Sequence, residues 1–187
     1  GFFNNPKLGI PSSNGMMILF DSQTGVIKSV LLDKGYLTDV RTAIAGSIAA
    51  KYLSNPESTK VGIIGAGLQA KLQLEALKLV RSIDIAFIWS RDLVKLDNFI
   101  KEIQYLNLKI EKCSSVQELI NKSEIVVTTT PSKSPLIKSD WLKKGLHITA
   151  MGSDAEEKNE IDPQIIKDCD SYVPDSQSQT AVLGELH

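Results

Sequence analysis

A doubly wound α/β sheet preceded by a β-hairpin is the architecture this sequence predicts, and three observations predict it. The first is the stretch Lys60 to Val80, where the apolar run Val61, Ile63, Ile64 meets Gly65-Ala66-Gly67 and then apolar residues at helical spacing. The second is that short apolar runs and helical patterns alternate from there onward without hairpin spacing, which means parallel strands with crossover helices. The third is an earlier pair of apolar runs, Met16 to Phe20 and Val26 to Leu32, joined by Asp21-Ser22-Gln23-Thr24-Gly25. A turn of that length containing glycine joins antiparallel strands.

Bulk properties bound the function. The chain has 187 residues, 42% hydrophobic residues and a formal net charge of -1, enough for one sizeable core and without a basic excess to recruit nucleic acid or an anionic membrane surface. No apolar run approaches a membrane span and no signal peptide opens the chain, so a cytoplasmic protein without nucleic-acid or membrane partners is expected. Cys113 and Cys169 lie far apart without the spacing of metal ligands; they read as reduced thiols, and no metal is expected. The first residue is Gly1 and the last four are Gly184-Glu185-Leu186-His187, where a helix could begin, so the chain reads as a piece of a longer protein.

In chain order, Gly1 to Gly15 is rich in Gly, Pro, Asn and Ser and reads as loop. The hairpin follows. Two strands alone are not stable in water, so this one is expected to lie in a sheet completed by further chain or by a second subunit. Leu37 to Leu53 predicts a helix with Thr38 as N-cap and Asp39 in the first turn, packing through Val40, Ile44, Ile48, Tyr52 and the alanines between. Arg41 then stands near the positive end of the helix dipole, a cost that an anionic ligand such as a carboxylate would offset; the alternative is a solvated surface arginine.

The turn Gly65-Ala66-Gly67-Leu68-Gln69-Ala70 has the G-x-G-x-x-A form of a dinucleotide fingerprint. Gly65 permits the sharp turn, Gly67 lets backbone approach a pyrophosphate, and Ala70 permits close helix–strand packing. Phosphates would rest on the helix N-terminus, where free N–H groups meet the positive end of the dipole.

Beyond it, strands are expected at Ile85 to Trp89, Leu108 to Glu111, Glu124 to Thr129, Leu146 to Ala150 and, briefly, Ser171 to Val173. Helices are expected at Leu93 to Leu106, Val116 to Asn121 with the capping box Ser115 to Glu118, and Ile161 to Asp168. This Rossmann-type sheet places a ligand at the strand C-termini. The rule nominates Gly65, Ala66, Gly67, Leu68 and Gln69; Ser90 and Arg91; Thr129, Thr130 and Pro131; and Met151, Gly152, Ser153 and Asp154.

Ser90-Arg91 bears on the cofactor. An NAD site usually places an acidic residue at the end of the second strand to hold the ribose, whereas a hydroxyl and a guanidinium suit a 2'-phosphate, so NADP is favoured with NAD possible. Asp92 is open to either role, ribose ligand or N-cap of the next helix. Asp154 follows the fifth strand, where a carboxylate could act as general base on an ammonium or an attacking amine. Glu156 and Glu157 read as a solvated acidic loop, and His147, at the remote end of its strand, as structural.

Three ordered motifs, Gly35-Tyr36-Leu37-Thr38-Asp39-Val40-Arg41-Thr42-Ala43, Gly65 to Ala70, and Met151-Gly152-Ser153-Asp154 with Lys158 and Glu160, resemble the ornithine cyclodeaminase and mu-crystallin family. The Asp21 to Gly25 turn and the closing Gly184-Glu185-Leu186 fit it as well. The resemblance implies that Arg41 holds a substrate α-carboxylate, that Gly65, Gly67, Gln69 and Ala70 belong to the dinucleotide loop, and that Asp154 is the catalytic acid–base. Ser90-Arg91 departs from the acidic residue of the ornithine enzymes and leans toward NADP-using imine reductases and ectoine-utilisation-type relatives.

The resemblance also implies a domain plan. Residues 1–36 would be part of a substrate-binding and dimerisation domain, incomplete here, 37–58 a connecting helix, 59–180 the dinucleotide-binding domain and 181–187 the start of a return to the first. Three functions follow from it: a cyclodeaminase acting on an amino acid, a ketimine reductase or alanine-dehydrogenase-like oxidoreductase acting on an amino or imino acid, and a non-catalytic NADP-binding crystallin-like protein. A homodimer through the N-terminal sheet is implied.

Overall fold

The computed structural model describes residues 5–11 and 14–186, so part of the expected Gly1 to Gly15 loop, and His187, lie outside the described residues. Within that loop, Asn5–Leu8 forms a 3-10 turn. Contacts divide the chain into two compact units, Gly1–Thr42 and Ala43–His187.

The first unit is built on the hairpin of β1 (Met17–Phe20) and β2 (Ile27–Leu31), antiparallel with a register shift between Leu19 and Phe20. Its loop is organised by Asp21, whose carboxylate accepts from the Gln23 and Thr24 amides and the Thr24 hydroxyl and pairs with Lys28, while Gly25 takes a φ of 70°. Ile18, Phe20 and Val30 on one face and Leu19 and Leu31 on the other are all exposed. Helix α1 (Tyr36–Leu53) begins after Lys34 and Gly35, both at positive φ.

Two expectations for α1 fail. The cap is Asp33, whose carboxylate accepts from the Leu37 amide at 2.7 Å, so Thr38 lies inside the helix and Arg41 in its second turn, away from the strongest part of the dipole. The buried face is the expected alanines Ala43 and Ala50 together with Gly46 and Ser47, whereas Ile44, Ile48 and Tyr52, also expected to pack, are exposed. Small residues let the helix approach closely: a Cβ on Gly46 would stand 2.1 Å from Gln73 Oε1. Large side chains on that face would hold it off.

The second unit carries a five-stranded parallel sheet. Its strands are β3 (Lys60–Ile64), β4 (Ile85–Trp89), β5 (Lys109–Lys112), β6 (Ile125–Thr128) and β7 (His147–Ala150), in the order β5-β4-β3-β6-β7. Alternate side chains feed two cores. Val61, Ile63, Ala86, Ile88, Ile125 and Val127 pack under α2 (Leu68–Lys78) and α3 (Leu93–Glu102), through Ala70, Leu74, Leu77, Leu96 and Phe99. Ile64, Phe87 and Val126 pack on the other face with α4 (Val116–Lys122) and α5 (Pro163–Asp168). Gly62 belongs to this second layer, since a Cβ there would lie 2.3 Å from Leu119 Cδ2, so its bareness seats α4 on the sheet.

The expected sixth strand is absent: residues 171–173 form no ladder, and the chain goes instead to a single turn, α6 (Gln177–Thr180). Pro174 bars ladder donation just beyond, and three residues supply too few pairs to hold a strand at an edge. The helix expected to reach Leu106 stops at Glu102, giving way to a 3-10 turn and to Asn107 in the left-handed region. Among the described residues no helix is long and apolar enough to cross a membrane.

The capping box of α4 forms with one change, the return contact of Glu118 falling on Ser114 rather than on the N-cap amide of Ser115. Ser115 Oγ accepts from the Glu118 amide and Glu118 accepts from the Ser114 amide and hydroxyl, while Lys122 closes an ion pair one turn on. Lys122 first, then Ser114, pull the Glu118 carboxyl down to about 2. Because the folded value lies below the ordinary 4.5, the stabilisation is complete above that pH and is lost as pH falls toward 2. The gap in melting temperature between wild type and Glu118→Gln should therefore be widest near neutrality and close between about pH 4.5 and 2; a gap independent of pH would show the carboxylate idle.

Candidate functional site

Sheet order reverses between β3 and β6: the chain steps outward from β3 to β5, then returns to place β6 on the other side. At such a switch point, loops leaving neighbouring strands diverge and open a crevice at the strand C-termini. Three turns converge there.

The first turn is Gly65-Ala66-Gly67. Gly65 has φ 127°, and a Cβ on it would lie 2.5 Å from Thr129 Oγ1 and 3.2 Å from the Thr129 carbonyl, so the turn packs against the segment leaving β6. Its amide donates to the Trp89 carbonyl, which draws the end of β4 to the same place. Gly67 caps α2 without a side-chain hydrogen bond, and no atom lies within 4 Å of where its Cβ would be. An open Cα at the head of an eleven-residue helix with no side-chain cap is an approach path for phosphate, which fits a dinucleotide. Ala70 is fully buried under this turn, Leu68 is exposed and Gln69 half-buried.

The second turn is Thr129-Thr130-Pro131. Thr129 donates through its amide (2.9 Å) and hydroxyl (3.2 Å) to the Ile64 carbonyl, locking the end of β6 to the end of β3. The third, Met151 to Asp154, follows β7; the Met151 amide donates to the Thr128 carbonyl. Gly152 admits no side chain, because a Cβ would stand 2.3 Å from the Thr130 carbonyl oxygen. All three turns thus stand in a row, backbone against backbone.

Asp154 stands at the same end of the sheet as Gly65 and Gly67, with its side chain 62% exposed. Its Oδ1 is held by the ammonium of Lys158, four residues on, whose side chain is only 8% exposed. Ser153 donates its hydroxyl to the Lys158 carbonyl at 2.6 Å, closing this turn on itself.

Ser90 and Arg91 follow β4. Asp92 is the N-cap of α3, accepting from the Lys95 amide at 3.0 Å, while its own amide donates to Ser90 Oγ. Arg91 is exposed and makes no hydrogen bond or ion pair among the described residues. Arg41, in the other compact unit, is likewise exposed and without such a partner among the described residues. His147 sits at the opposite end of its strand, its Nε2 3.0 Å from Thr149 Oγ1, and burial pushes it down to about 4.

Sequence reasoning undervalued Glu160 and Glu185. Glu160 is fully buried and takes four donors: Thr130 N and Thr130 Oγ1 at 2.6 Å on Oε1, Thr128 Oγ1 at 2.5 Å and Gly152 N at 2.8 Å on Oε2. Burial pushes its carboxyl up, against the pull of those hydrogen bonds. Glu185 accepts from the Glu160 and Ile161 amides and from Asn159 Nδ2, and burial raises it too. The isolated bridge between Ile137 and Ile161 runs alongside. Glu160 sits in a polar stretch, where nothing but its long-range partners separates it from solvated Glu156 and Glu157, and Glu185 follows Gly184 near the end of the sequence with no local motif to mark it.

Known proteins share this arrangement. The model of the ornithine cyclodeaminase/mu-crystallin family matches residues 1–187. An uncharacterised cyclodeaminase of Sinorhizobium fredii is 52% identical over all of this chain and 57% of its own length. An archaeal alanine dehydrogenase dimer with bound NAD superposes with a TM-score of 0.90 at 34% identity, over 98% of this chain and 56% of that one. The Delta(1)-pyrroline-2-carboxylate reductase of Thermococcus litoralis, in complex with NADH and L-proline, gives 0.89 at 31%, over 96% and 55%. The chain spans about half the length of the relatives it matches. With the family model spanning every residue and three turns meeting at the switch point of the sheet, the chain belongs to the ornithine cyclodeaminase/mu-crystallin family.

Proposed function

We propose that this chain carries the nicotinamide-nucleotide site of an enzyme acting on an α-amino or α-imino acid. The observation that carries the reading is the convergence of the Gly65–Gly67, Thr129–Pro131 and Met151–Asp154 turns at the switch point, with the head of α2 open in front of Gly67. Relatives that differ in named activity, a cyclodeaminase, an alanine dehydrogenase and an imine reductase, have in common an amino or imino acid, and two of the three are solved with NAD or NADH.

In this reading the Gly65 to Gln69 segment holds the pyrophosphate by its amides, and Ser90 with Arg91 holds the adenosine ribose and a 2'-phosphate. The Thr129 to Pro131 and Met151 to Ser153 turns wall the crevice toward the redox end. When bound, a nicotinamide accepts or donates a hydride at the substrate α-carbon. Arg41 binds the substrate carboxylate, a guanidinium being matched to it in charge and fork geometry. Asp154 holds or moves a proton at the substrate nitrogen, and Lys158 aims its carboxylate.

Two outcomes remain distinct for the reaction. Cyclodeamination returns the reducing equivalent within one turnover and releases ammonia without net redox, whereas reduction or dehydrogenation consumes or forms reduced nicotinamide. Arg91, without a partner among the described residues and in place of an acidic residue, favours the second with NADP. Absorbance of reduced nicotinamide, with ammonia measured in parallel across diamino acids, alanine and cyclic imines, separates them. Binding without turnover would identify a crystallin-like carrier instead.

The hairpin supports a homodimer, since both of its faces expose apolar side chains and the archaeal relative is a dimer. Placing charge on one face, as Phe20→Asp with Val30→Asp, should convert the dimer to monomer in sedimentation; a wild type already monomeric would refute the pairing.

Replacing Arg91 by Ala should weaken NADP(H) by about 10- to 100-fold, as for loss of a charged hydrogen-bond partner, while leaving NAD(H) nearly unchanged. Equal losses for the two nucleotides would remove Arg91 from the site. Asp154→Asn should lower kcat by about 10²- to 10⁴-fold with nucleotide affinity kept, while Arg41→Ala should act mainly on KM, since it removes binding common to ground and transition states. Undiminished turnover in Asp154→Asn would return this aspartate to the solvated loop.

A further inference from the structure

We propose that Glu160 is a positioning residue for the proposed reaction: its carboxyl sets the separation of the turns after β6 and β7, and Glu185 holds Glu160 in register. The inference rests on the reading of that crevice as the nicotinamide site, and it goes beyond it by assigning the geometry of the wall to a residue that touches no substrate.

The grounds are geometric. Oε1 collects both donors of Thr130, and Oε2 bridges Thr128 Oγ1 and Gly152 N, so a single planar group spans the two turns. None of these donors is charged, and none of the four is a neighbour in sequence. The contact tolerates no slack, because a Cβ at Gly152 would overlap both Thr130 O at 2.3 Å and Glu160 Oε2 at 2.4 Å. Two residues beyond the Gly152 amide comes Asp154, whose own amide donates to the Gly152 carbonyl at 3.2 Å. A shift of the carboxyl therefore passes directly into the placement of Asp154.

Glu160 is itself held from both sides. Its carbonyl accepts from the Leu136 amide at 2.7 Å and its amide donates to Glu185 Oε1 at 2.8 Å, while Ile161 N and Asn159 Nδ2 donate to Glu185 Oε2. Gly184, at φ 106°, brings Glu185 in: a Cβ there would come within 3.5 Å of the Ser153 carbonyl. The segment after α6 is thus attached to the wall through one carboxylate and three donors.

A four-acceptor carboxylate cannot be replaced by an amide without turning an NH2 against an N–H donor or a hydroxyl. In the whole protein, Glu160→Gln should lower kcat by about 10- to 100-fold, the scale of a misplacement near 1 Å, while KM for the amino or imino acid changes less than about threefold. Glu185→Gln should shift kcat in the same direction by a smaller factor. It also carries the test if Glu160→Gln fails to fold. Fluorescence titration with NADPH and NADH on wild type comes first: a wild type that binds neither overturns the nicotinamide reading and the positioning role together. A wild type that binds and turns over, alongside variants that lose melting temperature but keep kcat, overturns the positioning role alone.

Discussion

Backbone approaching backbone at the C-terminal edge of the sheet is the constraint on which the candidate site depends. Gly65 admits the Thr129 segment, Gly152 admits Thr130, and Gly62 admits α4 one layer below; in each place an added Cβ would lie within about 2.5 Å of a neighbour. Overpacking of this kind costs a folded protein about 1 to 3 kcal/mol, and here it would also separate the turns that have to act together. The open Cα of Gly67 is the counterpart, bare toward the crevice rather than toward the fold.

Polar groups at that edge are held by dipoles more than by counter-charges. Glu160 and Glu185 are both buried and their carboxyls are raised by burial, with Glu160 adding to the effect on Glu185. Such groups are costly to strand, since a buried acceptor that loses its donors keeps its full desolvation penalty. Glu160 is accordingly surrounded by amides and hydroxyls from two turns, and Glu185 by donors of the one segment Asn159 to Ile161, so that the turns hold together as a unit. Arg81 does similar work remote from the site, binding the Ala50, Lys51 and Ser54 carbonyls at the end of α1.

Local signals made most of this legible in the sequence. Strand–glycine–helix at Lys60 to Val80, the cap at Ser115 and the alternation of elements each express a local rule, and each appears in the structure where expected. What escaped was decided elsewhere in space. Asp33 rather than Thr38 caps α1 because Lys34 and Gly35 turn the chain back at positive φ, and either residue type satisfies the capping preference. The large apolar residues of α1 suggested its packing face, yet close approach to Gln73 selected the face of Ala43, Gly46, Ser47 and Ala50. Glu160 looked like its acidic neighbours because its four donors lie 8 to 32 positions away.

The doubly apolar hairpin has a thermodynamic consequence of its own. Two strands whose side chains are exposed on both faces draw little stability from their own contacts, so their order is set by whatever covers them, further chain or a second subunit. The five-stranded sheet carries two cores of its own. Where that cover is lost the hairpin is the element that frays first, and the apolar side chains of its two short strands return to water while the sheet stays folded.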